Sequence, residues 1–517
     1  MKRPFLISII VSLLIVTFFS FAGCTESNSK SNDQRAIKKY EPDWQSLSMH
    51  QTPKWLKDGK FGIYTHWGIY AVEAYGGNVT WYINHVYKDT TSKQYKNFVK
   101  RFGRITRNHG YKDLIPKFTG SKFNPNAWAE LFKEAGAKFA GPVAEHHDGF
   151  SMWNTKWSKW NSAKMGPKQD VVGELAKAIK AHGLKFLVAF HHAEHWFFFP
   201  TWDSTKDCGN PEYSGLYGPI HPENDPYPNT QFLNEWYGKL VEVVNKYNPD
   251  FVWFDFKLDA IREDYIKEFV TYYYNHALSE NKSVIISYKQ HDLPPGVGLR
   301  DLEQGQADEL TWSDWITDTS IDSIGSWGYV KNEGYKTPNR LIDNLVDRVS
   351  KNGYLLLNVG PKPDGTIPEG AKKDLLSMGK WLRLNGEAIY GTHAWVKYGE
   401  GPSSNIKGYS SKNERRDTYT AQDIRFTSKG DTLFAIDLAW PGKSVLIKSL
   451  VPPSDNKGKK FPGYYIFPGE IKSISMLGIP GNLKWNLEKG GLKIETPSKK
   501  PCKYAYVFKI ILNNKFD

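Results

Sequence analysis

The sequence predicts a (β/α)8 barrel followed by an antiparallel β-sandwich. Three observations carry that expectation. From about residue 55, short apolar runs alternate with segments of helical periodicity. The strand-like runs are apolar throughout rather than alternating, as in a parallel sheet covered by helices. Past about residue 390 the helical segments stop, and short strands punctuated by Gly, Pro and Asp take over, as in a sandwich. The expected divisions are a signal segment at 1–24, a polar tether at 25–40, the barrel at 41–390 and the sandwich at 391–517.

The chain opens on "MKRPFLISIIVSLLIVTFFSFAGC". A basic start, an apolar stretch and small residues form a secretory signal. "FAGC" resembles the lipobox of bacterial lipoproteins, which makes Cys24 a lipidation site and predicts export to a membrane face. An uncleaved spanning helix is the alternative reading of the same residues. The following "TESNSKSNDQ" is too polar to fold alone. The remaining cysteines, Cys208 and Cys502, are far apart and suggest neither a disulfide framework nor a cysteine metal site.

Eight strand candidates follow: 60–68, 139–149, 185–192, 250–256, 283–289, a weaker 298–304, a weaker 323–330, and 354–361. Eight is the count of a (β/α)8 barrel, and no G-x-G-x-x-G fingerprint points to a doubly wound sheet. Between the strands, Trp128, Leu131, Phe132 and Ala135 recur at helical spacing. Asp170 is placed to N-cap the helix "VVGELAKAIKAHG" and Gly183 to end it. Thr337 caps "PNRLIDNLVDRVSKNG" with Pro338 at its first position; Leu341, Leu345 and Val349 share a face, and Gly353 is its expected stop.

Net charge is +13, but no block of five or six basic residues occurs, so nothing supports nucleic-acid binding. Aromatic residues make up 15% of the chain. They serve equally as core or as platforms for sugar faces.

Functional groups of a barrel lie at the C-terminal ends of its strands. Here those ends carry His66, then Glu145, His146 and His147, then His191 and His192, then Asp255, Lys289 and Glu303. Asp255 closes the apolar run "FVWFDF", where an unpaired buried carboxylate would be costly. A polar pocket lined by imidazoles, Trp, a Lys and two carboxylates explains it. Paired carboxylates of separated pKa are the equipment for glycoside hydrolysis. A competing pattern, H-x-x-E-H at His191–His195, resembles a zinc peptidase motif. That motif needs a helix, and its position between "KFLVAF" and "WFFFP" argues against one, so no metal and no organic cofactor are expected.

The blocks "FGIYTHWGIYAV", "FAGPVAEHHDGF", "PDFVWFDF", "TDTSIDSIGSWGY" and "NVGPKPDGTIP", in this order, resemble the glycoside hydrolase family 29 α-L-fucosidases. The resemblance extends over roughly residues 40–512. It implies a retaining mechanism with Asp255 as nucleophile, and a fucose pocket lined by His66, His146, His147, Trp81 and Trp253. His191 and Lys289 join that substrate-binding set by their strand-end positions. Glu303 in "RDLEQG" is the first choice for the acid/base and Glu309 in "ADELTW" the second. Two departures stand out: Thr80 replaces a frequent Glu before the Trp-Tyr pair, and Lys289 replaces a frequent Arg. The expected activity is release of terminal α-L-fucose from glycans; action on α-L-galactosides, or glycan binding without catalysis, are the alternatives.

Overall fold

The computed structural model describes residues 39–405, 419–452 and 464–514. Cys24, the signal segment and nearly all of the tether lie outside the described residues. Tyr40, assigned to the tether by sequence, is already docked: its amide donates to Asn275 Oδ1 at 2.8 Å and its carbonyl accepts from Asn275 Nδ2 at 2.9 Å. Among the described residues no helix is long and apolar enough to cross a membrane.

Eight parallel strands close into a barrel: β1 (Phe61–Thr65), β2 (Phe139–Glu145), β3 (Lys185–Phe190), β4 (Phe251–Phe254), β5 (Ile285–Lys289), β6 (Leu299–Asp301), β7 (Trp315–Ser320) and β8 (Gly353–Val359). Each pairs with its sequence neighbours, and β1 pairs with β8 from Phe61↔Leu355 to Thr65↔Val359. Nearly every strand residue is buried, because both faces are covered. One face fills the barrel with Tyr64, Phe139, Leu187, Phe251, Trp253, Ile285, Ile316 and Leu356. The strands approach closely at Gly141, where a Cβ would lie 1.5 Å from Leu187 O.

The helices form where local signals place them. Pro125–Glu134 starts at Asn124, whose side chain accepts from the Ala127 amide. Val171–Ala181 is capped by Asp170 accepting from Gly173, and Pro338–Ser350 by Thr337 accepting from Arg340. Such caps contribute about 1 kcal/mol each.

Two expectations need correction. The seventh strand is Trp315–Ser320, not 323–330, which is loop. "WITDTS" has few apolar residues, yet its inward positions Ile316 and Asp318 reach the interior and its polar end. Gly353 does not stop the preceding helix; it begins β8, and the turn is made by Asn352 at φ +69°.

The C-terminal unit has a five-stranded sheet of order β15-β18-β11-β10-β9 and a three-stranded sheet of order β12-β17-β16. Its strands are β9 (His393–Glu400), β10 (Ile424–Lys429), β11 (Thr432–Asp437), β12 (Ser444–Ile447), β15 (Ile471–Met476), β16 (Trp485–Glu488), β17 (Gly491–Glu495) and β18 (Tyr506–Leu512); β13 (Leu450–Val451) and β14 (Tyr464–Tyr465) add a short parallel pair. Phe426, Ile474 and Phe508 of the larger sheet and Val445, Ile447 and Ile494 of the smaller share one core, as in a sandwich. The unit is joined to the barrel by polar contacts: Trp381 Nε1 donates to Ala505 O at 2.8 Å, and Arg425 Nε to Asp347 Oδ1 at 2.6 Å.

Candidate active site

The polar residues at the strand ends converge on one cavity of about 110 Å³, large enough for a single small ring rather than a chain. His66 follows β1, His146 and His147 follow β2, His191 and Glu194 follow β3, Asp255 and Phe256 follow β4, and Glu303 lies two residues past β6. Asp318 reaches it from β7, while Thr80, Trp81 and Trp327 close it from loops.

The imidazoles form a connected set. The Asn358 side-chain carbonyl accepts from the His66 amide at 3.0 Å and faces His66 Nδ1 at 2.8 Å. Because a carbonyl only accepts, His66 carries its proton on Nδ1 and presents a lone pair at Nε2. His191 Nε2 lies 3.2 Å from that atom and 3.7 Å from Asp255 Oδ2. His147 Nδ1 donates to His191 O at 3.0 Å, which turns its Nε2 toward Asp255 Oδ2 at 3.4 Å. His146 stacks on His191 with ring centroids 4.4 Å apart. Burial lowers the pKa of all four: to about 4 for His66 and about 3 for His147, and well below the ordinary value for His146 and His191. The rings are therefore neutral, each offering one donor and one acceptor.

Beneath the carboxylates sits Lys289, 1% exposed. Its Nζ is 2.7 Å from Asp318 Oδ1, 3.3 Å from Glu303 Oε2, 3.5 Å from Asp301 Oδ2 and 4.0 Å from Asp255 Oδ1. Burial alone would lower its pKa, but the four carboxylates outweigh burial and hold it charged. Tyr64 OH donates to Asp318 Oδ2 at 2.8 Å, and Trp253 Nε1 to Asp301 Oδ2 at 2.6 Å. Burial pushes Asp255 and Glu303 upward, and Lys289 opposes it in both. Burial and the neighbouring acids together hold Asp255, Asp301 and Glu303 above the ordinary carboxyl range.

Asp255 and Glu303 are no farther apart than the sum of their distances to Lys289 Nζ. That bound admits the ~5–5.5 Å of a retaining glycosidase and excludes all but the narrow end of the ~6.5–9.5 Å of an inverting one.

Of the residues singled out by sequence, His66, Trp81, His146, His147, His191, Trp253, Asp255 and Glu303 all line the cavity. Two do not. Lys289 lies behind the wall and acts on the carboxylates. Glu309 is exposed, away from the cavity, with its charge felt by Tyr398 of β9. The loop from β6 to β7 descends to the opposite end of the barrel, where Thr311 Oγ1 donates to Lys351 O, and carries Glu309 with it. The sequence reading missed Asp318, Glu194, Phe256 and Trp327. Asp318 was legible as the inward-facing residue after Ile316, once the seventh strand is placed correctly.

The H-x-x-E-H segment is helical after all, as a 3-10 turn His192–Glu194 and one α-turn His195–Phe198. Its histidines nevertheless aim at different partners: His191 at His66, His192 at Glu145 at 3.4 Å, and His195 Nδ1 at His147 O at 2.7 Å. A different trio has metal-like spacing, since ligand atoms of His66, His146 and His191 all lie within 4.8 Å of one another.

Comparison with known proteins adds to this geometry. Residues 27–387 match the family model "Alpha-L-fucosidase", and residues 416–511 match "Alpha-L-fucosidase C-terminal domain". The tissue α-L-fucosidase of Bos taurus is 30% identical over 512 residues, covering 96% of both chains. That of Homo sapiens is 30% identical, covering 95% of both. The crystal structure of Thermotoga maritima α-fucosidase in complex with fucose superposes with a TM-score of 0.71 at 31% identity, covering 91% of this chain and all of that one. The same enzyme in complex with a mechanism-based inhibitor gives a TM-score of 0.71 at 30% identity.

Proposed function

The chain belongs to the α-L-fucosidase family, and we propose that it is an exo-acting, retaining glycoside hydrolase that releases terminal α-L-fucose from glycans. The observation that carries this reading is the joint placement of Asp255 and Glu303 on one ring-sized cavity with Lys289 between them.

In the proposed reaction the ionised Asp255 attacks the anomeric carbon as Glu303 passes its proton to the departing glycosidic oxygen. The C–O bond to the leaving group breaks and a fucosyl ester on Asp255 forms. Water then enters, Glu303 takes one of its protons, and the resulting nucleophile displaces Asp255 to release fucose. Each carboxylate returns to its starting state. The neutral imidazoles suit a deoxy sugar: His66 and His147, whose Nδ1 protons are held by Asn358 and the His191 carbonyl, each present an acceptor nitrogen to a hydroxyl. Trp81, Trp253, Phe256 and Trp327 supply apolar walls for the ring face and the C6 methyl. Apolar walls reject an added hydroxyl weakly, so slower turnover of α-L-galactosides is expected.

Azide rescue tests the pair. On a fucoside whose leaving group needs no protonation, Glu303→Ala should accumulate the glycosyl-enzyme, and azide should restore turnover. Glu309→Ala should behave as the parent, because that side chain is exposed. Rescue in Glu309→Ala and not in Glu303→Ala would reverse the assignment.

The leading 24 residues support export and lipid anchoring at Cys24, which would hold the enzyme at a bacterial membrane face. Cys24→Ser should then move the protein out of the membrane fraction with its activity retained; an unchanged distribution would favour an uncleaved helix.

A further inference from the structure

We propose that Glu194 is a specificity-determining residue that hydrogen-bonds a ring hydroxyl of the bound fucosyl unit. This rests on the α-L-fucosidase reading and adds to it a contact from the loop after β3.

Glu194 lines the same cavity as Asp255 and Glu303 and is 8% exposed. Its carboxyl makes no hydrogen bond and no ion pair with any described residue. Several other buried acids near the barrel mouth are satisfied within the protein, and Glu73, whose oxygens lack a hydrogen bond, does not line the cavity. Glu145 binds Lys239 at 2.9 Å and Ser151 at 2.5 Å; Asp148 accepts from Tyr111 at 2.7 Å; Asp301 and Asp318 are held by Trp253, Tyr64 and Lys289. The Glu194 oxygens stay open to the cavity rather than sealed in the protein, so a group that enters the cavity is the natural partner for this carboxyl.

The position is fixed rather than adaptable. The Glu194 amide donates to His191 O at 3.2 Å, and the next residue is pinned by His195 Nδ1 to His147 O at 2.7 Å. Trp81, which lines the cavity with Glu194, packs edge to face on Phe198 of the turn that follows Glu194, with centroids 5.5 Å apart. Asp255 and Glu303 come from β4 and β6, where the glycosidic bond must lie. Glu194 follows β3, on the side of His66, His146, His147 and His191, where the hydroxyls of a ring seated on Asp255 are read. The cavity holds one ring, so a group lining it meets the fucosyl unit rather than the remote glycan.

Burial pushes the Glu194 carboxyl up to about 7, with Lys257 and Lys88 opposing and Asp259 adding to the rise. Near neutral pH it can therefore accept from a hydroxyl or donate to one, a role that an amide can imitate.

A double-perturbation cycle tests the proposal. The parent protein, Glu194→Gln and Glu194→Ala are each assayed on a chromogenic α-L-fucoside and its 2-, 3- and 4-deoxy analogues. In the parent, one deoxy analogue should lose about 10- to 100-fold in kcat/KM, the worth of a hydrogen bond to a charged group. Glu194→Ala should lose a similar factor on the full fucoside, mostly through KM, and almost nothing further on that one analogue. Glu194→Gln should stay within about tenfold of the parent, consistent with retained hydrogen bonding. Losses that multiply independently for all three analogues would overturn the proposal, as would an unimpaired Glu194→Ala. Should Glu194→Ala fail to fold, the same cycle with Glu194→Leu, which keeps the bulk and removes the hydrogen-bonding group, decides it. A parent protein inactive on the full fucoside would instead sink the underlying reading, and that result appears before any variant is compared.

Discussion

Lys289 Nζ lies 2.7 Å from Asp318 Oδ1, closer than to any of the other three carboxylates around it. The ammonium is therefore anchored first to an acid that Tyr64 also holds, and only secondarily to the reacting pair. It is a positioning residue: it touches no part of the cavity but sets the electrostatics of the two groups that do.

Lys289→Met should keep the bulk of the side chain and remove its charge. Burial raises Asp255 and Lys289 is its main opponent, so losing the cation raises Asp255 further. The acidic limb of the kcat/KM profile should move to higher pH. Leaving buried carboxylates without their cation should also cost about 3–5 kcal/mol at neutral pH. A pH profile that stays in place would mean that Lys289 serves packing alone.

Asp255→Asn should remove the nucleophile while preserving shape. Turnover should fall by orders of magnitude, with binding of free fucose, followed by tryptophan fluorescence, largely retained. A loss of only a few-fold would make Asp255 structural.

Asp347 joins the barrel to the sandwich, 2.6 Å from Arg425 Nε and 2.9 Å from Lys351 Nζ. Burial alone would raise its pKa, but Lys351, Arg425 and Arg348 outweigh it and hold the carboxyl well below its ordinary range. A depressed folded pKa gives stability that is present above the unfolded value, about 3.9, and lost as pH falls toward the folded one. Asp347→Asn should cost about 3–5 kcal/mol in urea unfolding at pH 7. The gap to the parent should narrow as pH drops below about 4; a gap independent of pH would refute the ion-pair account.

Two carboxylates suffice for the proposed chemistry, so prolonged EDTA treatment should leave activity unchanged. Excess Zn²⁺ should inhibit in competition with the fucoside, because His66, His146 and His191 are neutral and spaced to share a metal inside the cavity. Activity abolished by EDTA and restored by Zn²⁺ would make that trio part of the reaction instead.

The sequence by itself determined the features that depend on near neighbours. Continuous apolar runs specify strands buried on both faces, and Asp170 and Thr337 cap helices within three residues, so the barrel and its helices were legible. Asp255 was legible too, because a carboxylate ending "FVWFDF" needs a reason whatever surrounds it. Tertiary structure decided what depends on distant partners. The three-residue β6 and the polar β7 are strands only because β5 and β8 pair with them. That pairing turns Glu303 into the cavity and carries Glu309 down to the far end of the barrel, though the two lie six residues apart on one loop. Lys289 and Asp318 become a pair only once β5 and β7 stand beside β6, and Glu194 becomes a pocket wall only when β3 sets its turn against Trp81. Periodicity and capping are local energies, whereas the facing of a side chain toward a shared cavity is fixed by closure of the whole barrel.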